Sequence, residues 1–299
     1  MSDLTAPDVK MSRLVHGYWR AHEWGLDAQG YVRLIEEVLA AGIDTFDHAA
    51  CYGGFINEGQ FGAALKLDNS LRRRMTLVSK CGISFPNQTL PEMNSKYYDN
   101  SAAHIIWSAE RSIRELGCEY LDILLLHRPS PCLNPHEAAA AFDNLQQRGL
   151  ARHFGVSNYS AAKFNMLQSY LNQPLVTNQI EISPLHLAPF EDGSLDDLLE
   201  KRIKPMAWSP LAGGALFNGS DARSRRVAEA LLQAGEAYGE TRLDTLAYAW
   251  LLNHPAGIVP VIGSGRIERI RNAVAALGIR FDDEAWIRVY AASLGHDVP

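Results

Sequence analysis

The sequence predicts an α/β fold, a (β/α)8 TIM barrel built as a single domain over residues 1–299, with one extra helix at the C-terminal end. Three observations predict it. Short apolar runs of strand length recur along the chain, helix-periodic segments lie between them, and no Pro/Gly/Ser-rich linker divides the 299 residues. Continuous apolar strands separated by helices are typical of a parallel sheet covered on its faces, and this number of units favours a closed barrel over an open sheet.

The strands are predicted from apolar runs bounded by glycines and polar residues. In chain order they cover residues 12–17, 43–46, 75–79, 121–126, 152–157, 175–180, 203–208 and 257–262. The first of these supplies the strand that precedes the seven strand–helix repeats. Together the eight runs account for every strand that a closed barrel of this type requires.

The helices are predicted from apolar side chains at helical spacing. Residues 27–42 and 99–117 both show this pattern and both end in glycine, which is a common helix stop. Residues 134–149 begin with Asn134 as the N-cap and Pro135 in the first turn. Residues 281–295 predict one last helix, which lies outside the repeat.

Composition and charge exclude several classes of function. The net charge of -6 disfavours nucleic acid as a partner, and the short basic run at 71–75 is interpreted as a solvated connection. No apolar run reaches the length of a membrane span, and the first residues do not resemble a signal peptide. Four scattered cysteines without ligand spacing predict no zinc site. We therefore expect a reduced cytoplasmic protein, a monomer or weak homo-oligomer, that acts on a small molecule.

Polar residues stand where several predicted strands end. Asp47 ends the second strand and Tyr52 lies in the loop beyond it, Lys80 ends the third strand, and His127 follows the fourth. In a (β/α)8 barrel the chemistry takes place at the carboxyl ends of the strands. Any one of these residues alone is more simply explained as a cap or turn residue. Four proton-carrying groups on one rim instead predict a catalytic site.

Proton transfer to an alkoxide is the chemistry that needs this set of groups. A free tyrosine, with a pKa of about 10, is a weak acid near neutral pH. The Lys80 ammonium is expected to lower the pKa of Tyr52, and Asp47 is expected to keep Lys80 charged. His127 can hydrogen-bond the substrate oxygen and orient it. We therefore predict that Tyr52 is the acid, Lys80 its activator, Asp47 the support and His127 the orienting donor.

The same residues resemble a known family, the aldo-keto reductases, over essentially the whole chain. The resemblance is carried by seven motifs in the family's order: FDHAACYGG, VSKCG, LLLHRP, GVSNYS, NQIEISPL, WSPLAGG and GSGRIERIRN. Within the family the sequence is similar to the bacterial YdhF-like oxidoreductases. Any one motif alone would be a weak signal, whereas seven in order are a strong one.

The resemblance implies a nicotinamide cofactor, NADP(H) rather than NAD(H), held across the mouth of the barrel. The residues that it assigns to the cofactor are Ser157, Asn158 and Gln179 for the carboxamide, Trp208 for the nicotinamide ring, Ser209, Leu211 and Gly213 for the pyrophosphate, Ser264 and Arg269 for the 2′-phosphate, and Asn272 for the adenine. A helix that begins after GSGR would also suit a phosphate by its N-terminal amides. Many members carry a lysine where Gly263 stands, so NAD(H) is less strongly excluded than usual.

The resemblance also points to the loop after the first strand. Tyr18, Trp19 and Trp24 are candidates for lining the substrate pocket, with simple packing as the alternative. Cys51 is interpreted as a packed thiol and Glu58 as a residue that caps or pairs on a helix. Four histidines without ligand spacing are expected at the surface or as caps: His48, His136, His153 and His254.

The sequence therefore predicts a reductase of aldehyde or ketone carbonyls, with hydride from the nicotinamide and the proton from Tyr52. A nicotinamide-binding regulatory or interaction protein on the same barrel is the alternative, since fold alone does not separate the two. The intact set of Asp47, Tyr52, Lys80 and His127 favours the enzyme. A metal-dependent hydrolase or a barrel isomerase is remote, because paired carboxylates and His-x-His ligands are missing from the sequence.

Overall fold

A computed structural model describes residues 9–92, 94–219 and 221–299. Residues 1–8, on which the expectation of no signal peptide rests, lie outside this part. The strands are β1 Val15–Gly17, β2 Thr45–Asp47, β3 Thr76–Cys81, β4 Ile83–Ser84, β5 Tyr97–Tyr98, β6 Leu121–Leu126, β7 Ala151–Ser157, β8 Leu175–Glu181, β9 Met206–Trp208 and β10 Val259–Ile262.

The α-helices are α1 Ala28–Ala40, α2 Asn57–Leu67, α3 Ala102–Leu116, α4 Pro135–Gln147, α5 Ala161–Gln168, α6 Ala188–Glu191, α7 Ser194–Glu200, α8 Ala215–Asn218, α9 Ala222–Gly235, α10 Leu243–Leu252, α11 Ile267–Ala275 and α12 Asp283–Leu294. Short 3₁₀ turns cover Ala21–Glu23, Asn69–Arg74, Ala212–Gly214, Glu236–Tyr238 and Ala276–Gly278.

Eight of the strands form a closed barrel, in the order β1, β10, β9, β8, β7, β6, β3, β2. The predicted (β/α)8 fold is therefore confirmed. The remaining two strands, β4 and β5, form a small antiparallel hairpin that the sequence did not predict. The chain divides into two compact units: unit 1 runs to Asn178 and includes Gly263–Gly265, and unit 2 comprises Gln179–Ile262 and Arg266–Pro299. The single domain over residues 1–299 stays a prediction.

Unit 1 contains parallel ladders between β1 and β2, β2 and β3, β3 and β6, and β6 and β7. Between these strands lies a cluster of fully or almost fully buried side chains, formed by Val78, Ile123, Leu125 and Val176, with Val9 packed against it. Helix α3 begins at the N-cap Ser101, whose side chain accepts from the His104 amide, and ends at Gly117 in the left-handed conformation. The predicted glycine stop of this helix is confirmed.

Unit 2 contains parallel ladders between β8 and β9 and between β9 and β10. The predicted last helix is confirmed as α12, and Trp286 on it stacks on Trp250 of α10 with ring centroids 4.5 Å apart. Each indole N–H donates to the other residue's carbonyl oxygen, at 3.0 and 2.9 Å. Because the N–H group of each indole has a hydrogen-bond acceptor, the two rings can pack together without the cost of an unsatisfied donor.

Several strands begin later than predicted. The run 203–208 becomes a strand only at Met206, since Pro205 has no N–H to donate to a ladder. The first strand begins at Val15, because the Ser12 hydroxyl upstream of it accepts from the amides of Asp44 and Thr45 instead. The basic run at 71–75 is also not simply solvated: the Arg72 guanidinium binds Asp122 at 2.9 Å and its side chain is only 14% exposed.

In the described part of the chain, none of the helices combines the length and the apolar character that a membrane span requires.

Candidate active site

The predicted acid–base residues come together in unit 1, at the carboxyl ends of neighbouring strands. Asp47 is the last residue of β2 and Lys80 lies near the end of β3, while His127 follows β6 directly. The ladders place Asp47 opposite Val78, and Lys80 opposite Leu125. Because β2, β3 and β6 are parallel neighbours, their carboxyl ends present these side chains on the same rim.

The Lys80 ammonium is the centre of the arrangement. Its Nζ lies 2.8 and 2.7 Å from the two carboxylate oxygens of Asp47, 2.9 Å from the carbonyl oxygen of His48 and 2.9 Å from Oη of Tyr52. Four acceptors thus share the three N–H donors of one ammonium. Lys80 is 1% exposed and Asp47 is 2% exposed. Burial lowers the pKa of Lys80, and the Asp47 charge opposes that shift.

The expectation that the pKa of Tyr52 is lowered is wrong. Its hydroxyl does receive the Lys80 hydrogen bond, but burial and the negative charge of Asp47 raise the pKa of Tyr52 well above its usual range. The prediction was that the ammonium would lower this pKa. Desolvation of the buried phenolate is the larger effect, and the negative charge of Asp47 adds to it. Tyr52 is therefore a neutral phenol over the whole physiological range.

His127 stands beside this phenol as a neutral ring. Burial and the charges of Lys80 and Arg128 hold the pKa of His127 well below its usual range. Its ring lies edge-on to the Tyr52 ring, with centroids 5.7 Å apart. Nδ1 of His127 lies 3.6 Å from Sγ of Cys51. Neutral imidazole carries one ring proton, so His127 can donate to a substrate oxygen from one nitrogen only.

The loop that carries Tyr52 is fixed to β3 and then turns sharply. The amide of Ala50 donates to the Lys80 carbonyl oxygen at 3.0 Å. Gly53, Gly54 and Phe55 follow with φ of 60°, 69° and 70°, a left-handed run that costs a residue with a Cβ about 1–2 kcal/mol. A Cβ at Gly53 would stand 1.9 Å from Oδ1 of Asn57, so this position also lacks room for a side chain.

Two polar side chains that the sequence did not identify hold this loop. The Asn57 amide donates to the carbonyl oxygens of Tyr18 and Trp19, at 2.8 and 3.0 Å. The Arg111 guanidinium donates to the Phe55 carbonyl oxygen at 2.8 Å, and it lies over the Phe55 ring. These partners are 38, 39 and 56 residues apart in sequence, so no local pattern could have revealed them.

Glu58 is paired, as expected, but it is fully buried. Its Oε1 accepts from the Ser79 hydroxyl at 2.6 Å, and its Oε2 lies 3.9 Å from the Arg111 guanidinium. Burial raises the pKa of Glu58, against the hydrogen bonds of Ser79 and Ser112 and the charge of Arg111. Since Arg111 also holds the Tyr52 loop, Glu58 links that loop to Ser79 on β3.

His48 is not a surface or capping residue, and that expectation is wrong. Its ring is fully buried between Tyr18, stacked at 4.5 Å, and Phe61, edge-on at 4.5 Å. Burial and the charges of Lys80 and His16 hold the pKa of His48 well below its usual range. A neutral imidazole is apolar enough to pack among aromatic rings, whereas the sequence shows only a histidine beside Asp47.

The three aromatic pocket candidates differ in their placement. Tyr18 has no exposed surface, and its hydroxyl lies 3.1 Å from Nδ1 of His16, so the packing alternative describes it. Trp19 is 53% exposed, with the Arg20 guanidinium 5.1 Å from its ring. Trp24 is partly buried and stacks against His16. Only Trp19 and Trp24 therefore keep surface with which to contact a substrate.

Three of the predicted cofactor residues lie in unit 1. Ser157 ends β7 and is buried, and Asn158 follows it with a left-handed φ of 63°. The Asn158 amide donates to the Ser157 hydroxyl at 2.8 Å and to the His127 carbonyl oxygen at 3.2 Å. Such strained backbone clusters at functional sites. The third, Ser264, is held through its carbonyl oxygen, which lies 2.8 Å from Nε2 of the buried His16.

The remaining predicted cofactor residues lie in unit 2. Gln179 is buried within β8, and Trp208 ends β9. The loop after Trp208 contains Ser209, Leu211 and Gly213. Ser209 and Gly213 have φ of 48° and 63°, and apart from the chain neighbours of Gly213 no described atom lies within 4 Å of the place where its Cβ would stand. This stretch of backbone is therefore open to a close approach by a phosphate.

The predicted helix after GSGR is confirmed as α11, which carries the last two candidates. Arg269 lies exposed in its first turn. The side chain of Asn272 is held within unit 2, since its Oδ1 accepts from Arg242 at 2.9 Å and its Nδ2 donates to Asp244 at 2.9 Å. Arg269 is thus presented to solvent, whereas the Asn272 amide is already engaged by protein groups.

Among the residues that the structure describes, no group of three or more His, Cys, Asp or Glu side chains is arranged to hold a metal ion. The chemistry that this rim offers is acid–base chemistry. The rim combines the neutral phenol of Tyr52, the Lys80 ammonium paired with a carboxylate, and the neutral imidazole of His127, and Tyr52 contacts both of the other two residues.

Comparison with known proteins relates this arrangement to one family. The model of the Aldo/keto reductase family matches residues 13–293. Oxidoreductase YdhF of Escherichia coli (strain K12) is 46% identical over 291 residues, which cover 97% of this chain and 96% of that protein. A 6-dehydroglucose reductase of Agrobacterium fabrum (strain C58) is 41% identical, with 97% of each chain covered. The crystal structure of a thermostable aldo-keto reductase, Tm1743, has the same fold, with a TM-score of 0.79, 24% identity, and coverage of 97% of this chain and 98% of its own.

Proposed function

The chain belongs to the aldo/keto reductase family, and from this premise we propose that it is an NADP(H)-dependent reductase of aldehyde or ketone carbonyls. The observation that carries the proposal is the 2.9 Å contact between Nζ of Lys80 and Oη of Tyr52, with the same ammonium bound to both oxygens of Asp47. A phenol joined to a buried ammonium is arranged to give up a proton. Carbonyl reduction needs such a donor at the nascent alcohol oxygen.

Members of this family generally use a nicotinamide cofactor, and the residues at the strand ends fit such a group. Ser157 and Asn158 in unit 1 supply a hydroxyl and an amide, which can both donate to and accept from a carboxamide. Gln179 in unit 2 carries an amide of the same capacity. The open backbone at Gly213 suits a pyrophosphate, and the exposed Arg269 suits the 2′-phosphate of NADP(H). When bound, the cofactor supplies the hydride.

Tyr52 would supply the proton. Its raised pKa keeps the phenol protonated at neutral pH, so the proton is in place before the reaction begins. An alkoxide is a stronger base than a phenolate, so the transfer is downhill once negative charge develops on the carbonyl oxygen. The Lys80 hydrogen bond then strengthens as charge appears on Oη of Tyr52, which stabilises the transition state more than the ground state.

Asp47 and His127 would support this transfer in different ways. Asp47 keeps Lys80 charged in a site where burial alone would favour the neutral amine. His127, which is neutral and buried, would donate one hydrogen bond to the substrate carbonyl oxygen and so orient that oxygen toward Tyr52. The substrate oxygen would then meet two donors, one of which gives up its proton.

The test is turnover by the wild type and by Tyr52→Phe, followed through the loss of NADPH absorbance. The panel should contain activated aldehydes, diketones and 6-dehydroglucose, the substrate in the name of the Agrobacterium relative. We expect Tyr52→Phe to lower kcat by about 10²- to 10⁴-fold, the usual contribution of a positioned acid. The dissociation constant for NADPH should stay nearly the same.

Two outcomes would count against the proposal. Tight NADPH binding without turnover of any carbonyl in the panel would favour the alternative, a cofactor-binding regulatory protein on this barrel. Full activity of Tyr52→Phe would show that another group delivers the proton. A cytoplasmic location and a monomeric or weakly associated state remain predictions of the sequence.

A further inference from the structure

Cys51 contacts the ring of His127, and this contact has a chemical consequence for the proposed reaction. Its Sγ lies 3.6 Å from Nδ1 of His127, within the range of a sulfur hydrogen bond. Cys51 immediately precedes Tyr52 in the loop that β3 anchors, so the thiol and the phenol approach His127 from the same loop. Among the described residues, the Cys51 thiol is the hydrogen-bond partner of Nδ1 of His127.

The protons on this pair can be assigned. Burial raises the pKa of the Cys51 thiol to about 12, so the sulfur carries its hydrogen at neutral pH. The pKa of His127 lies well below its usual range, from burial and the charges of Lys80 and Arg128, so the ring is neutral and has one proton. The pair therefore holds two protons, one on sulfur and one on a ring nitrogen.

The direction of the hydrogen bond follows from the strengths of the two acceptors. A bare imidazole nitrogen is a good acceptor, whereas a thiol sulfur is a weak one. The favoured arrangement is S–H donating to an unprotonated Nδ1, which leaves the ring proton on Nε2. The reverse arrangement would use a strong donor on a poor acceptor and leave a bare Nε2.

We propose that Cys51 is a positioning residue, whose thiol donates to Nδ1 of His127 and holds the ring in the tautomer that presents Nε2–H to the substrate carbonyl oxygen. The inference rests on the proposed carbonyl reduction. In the other tautomer, Nε2 would present a lone pair to an oxygen that also carries lone pairs. The substrate would then lose one of its two donors and would be repelled by the group meant to orient it.

The experiment compares Cys51→Ala, which removes the donor, with Cys51→Ser, which keeps one. Cys81→Ala is the control, because Cys81 is a second thiol that donates a hydrogen bond over the same distance of 3.6 Å, to the Leu125 carbonyl oxygen, and it is more buried than the partly exposed Cys51. All four proteins are labelled with ¹⁵N in histidine. The ring nitrogen shifts of His127 distinguish a protonated nitrogen from a bare one, and His127→Gln identifies the signals.

In the wild type and in Cys81→Ala we expect a bare Nδ1 and a protonated Nε2. Cys51→Ala should shift both signals toward a mixture of tautomers and lower kcat about two- to tenfold, the range of one neutral hydrogen bond. The KM for NADPH should not change, and Cys51→Ser should recover most of the loss. A protonated Nδ1 in the wild type would overturn the inference. So would a Cys51→Ala protein with unchanged ring signals and the same kcat as the control.

The two readouts separate this inference from the proposed function. The tautomer is measured without substrate, so it holds or fails whether or not any carbonyl in the panel is reduced. If Tyr52→Phe abolishes turnover while the His127 tautomer is independent of Cys51, the carbonyl reductase stands and only the role of the thiol is lost.

Discussion

Replacing Lys80 by methionine tests the electrostatic core of the site most directly. Methionine fills a similar volume but removes the ammonium that lies 2.7 and 2.8 Å from the Asp47 oxygens. The Asp47 carboxylate, 2% exposed, would then be a buried charge without its counter-ion. Breaking a buried ion pair by removing one partner costs about 3–5 kcal/mol. For a chain of this size about 2 °C of Tm corresponds to 1 kcal/mol, so Lys80→Met should lower the Tm by about 6–10 °C.

The double variant Asp47→Asn/Lys80→Met isolates the charge. Both variants lose the hydrogen bonds from Lys80 to the His48 carbonyl oxygen and to Oη of Tyr52, so these losses cancel in the comparison. The double variant lacks the isolated carboxylate, and it should recover at least half of the lost Tm in a thermal unfolding experiment. Equal Tm values for the single and double variants would refute the reasoning, because they would mean that the Asp47 charge is not buried or is neutralised elsewhere.

Further predictions concern the loop, the acid stability and the cofactor. Gly53→Ala should lower both Tm and kcat, because a Cβ there would stand 1.9 Å from Oδ1 of Asn57. Gly54 has a similar φ, but apart from its chain neighbours no described atom lies within 4 Å of its Cβ position, so Gly54→Ala should show only the smaller backbone cost of about 1–2 kcal/mol. Burial lowers the pKa of His16 to about 4, so below about pH 6.5 the unfolded chain binds a proton that the folded protein does not bind. His16 alone should therefore cost about 3 kcal/mol of unfolding free energy between pH 6.5 and 4, in addition to the losses from the buried His48 and His127, and urea unfolding of His16→Phe should show a loss smaller by about that amount. Arg269→Ala should raise the KM for NADPH about tenfold to a hundredfold and leave that for NADH unchanged, whereas Arg271→Ala on the same helix should change neither; equal effects on both cofactors would contradict a 2′-phosphate contact.

Much of the fold could be read from local patterns. The β6 run at 121–126 has the predicted bounds and the helix after Asn134 has the predicted start, because a run that is apolar except for Asp122 and an Asn-Pro start are strong local signals. The hairpin of β4 and β5 was missed because each strand has two residues, too few to show a period. Pro205 is visible in the sequence, and β9 begins after it because proline has no N–H to donate to a strand ladder.

The candidate site was predicted residue by residue, but its electrostatics were not. Asp47, Lys80 and His127 stand at strand ends and Tyr52 lies in the loop after one of them, and strand ends can be located from the sequence. The direction of the Tyr52 pKa depends instead on how far water is excluded and on where the Asp47 carboxylate lies. Both are properties of packing, and both act against the effect expected from the lysine alone.

The sequence by itself determined the alternation of strands and helices, and with it the barrel and the rim on which the candidate acid–base side chains stand. It did so because hydrophobic periodicity and capping are local properties of the chain. Only the tertiary structure decided that His48 is buried, that Asn57 and Arg111 hold the Tyr52 loop, and that the Cys51 thiol meets His127. These facts depend on contacts between residues that are far apart in sequence, and such contacts form only when the chain has folded.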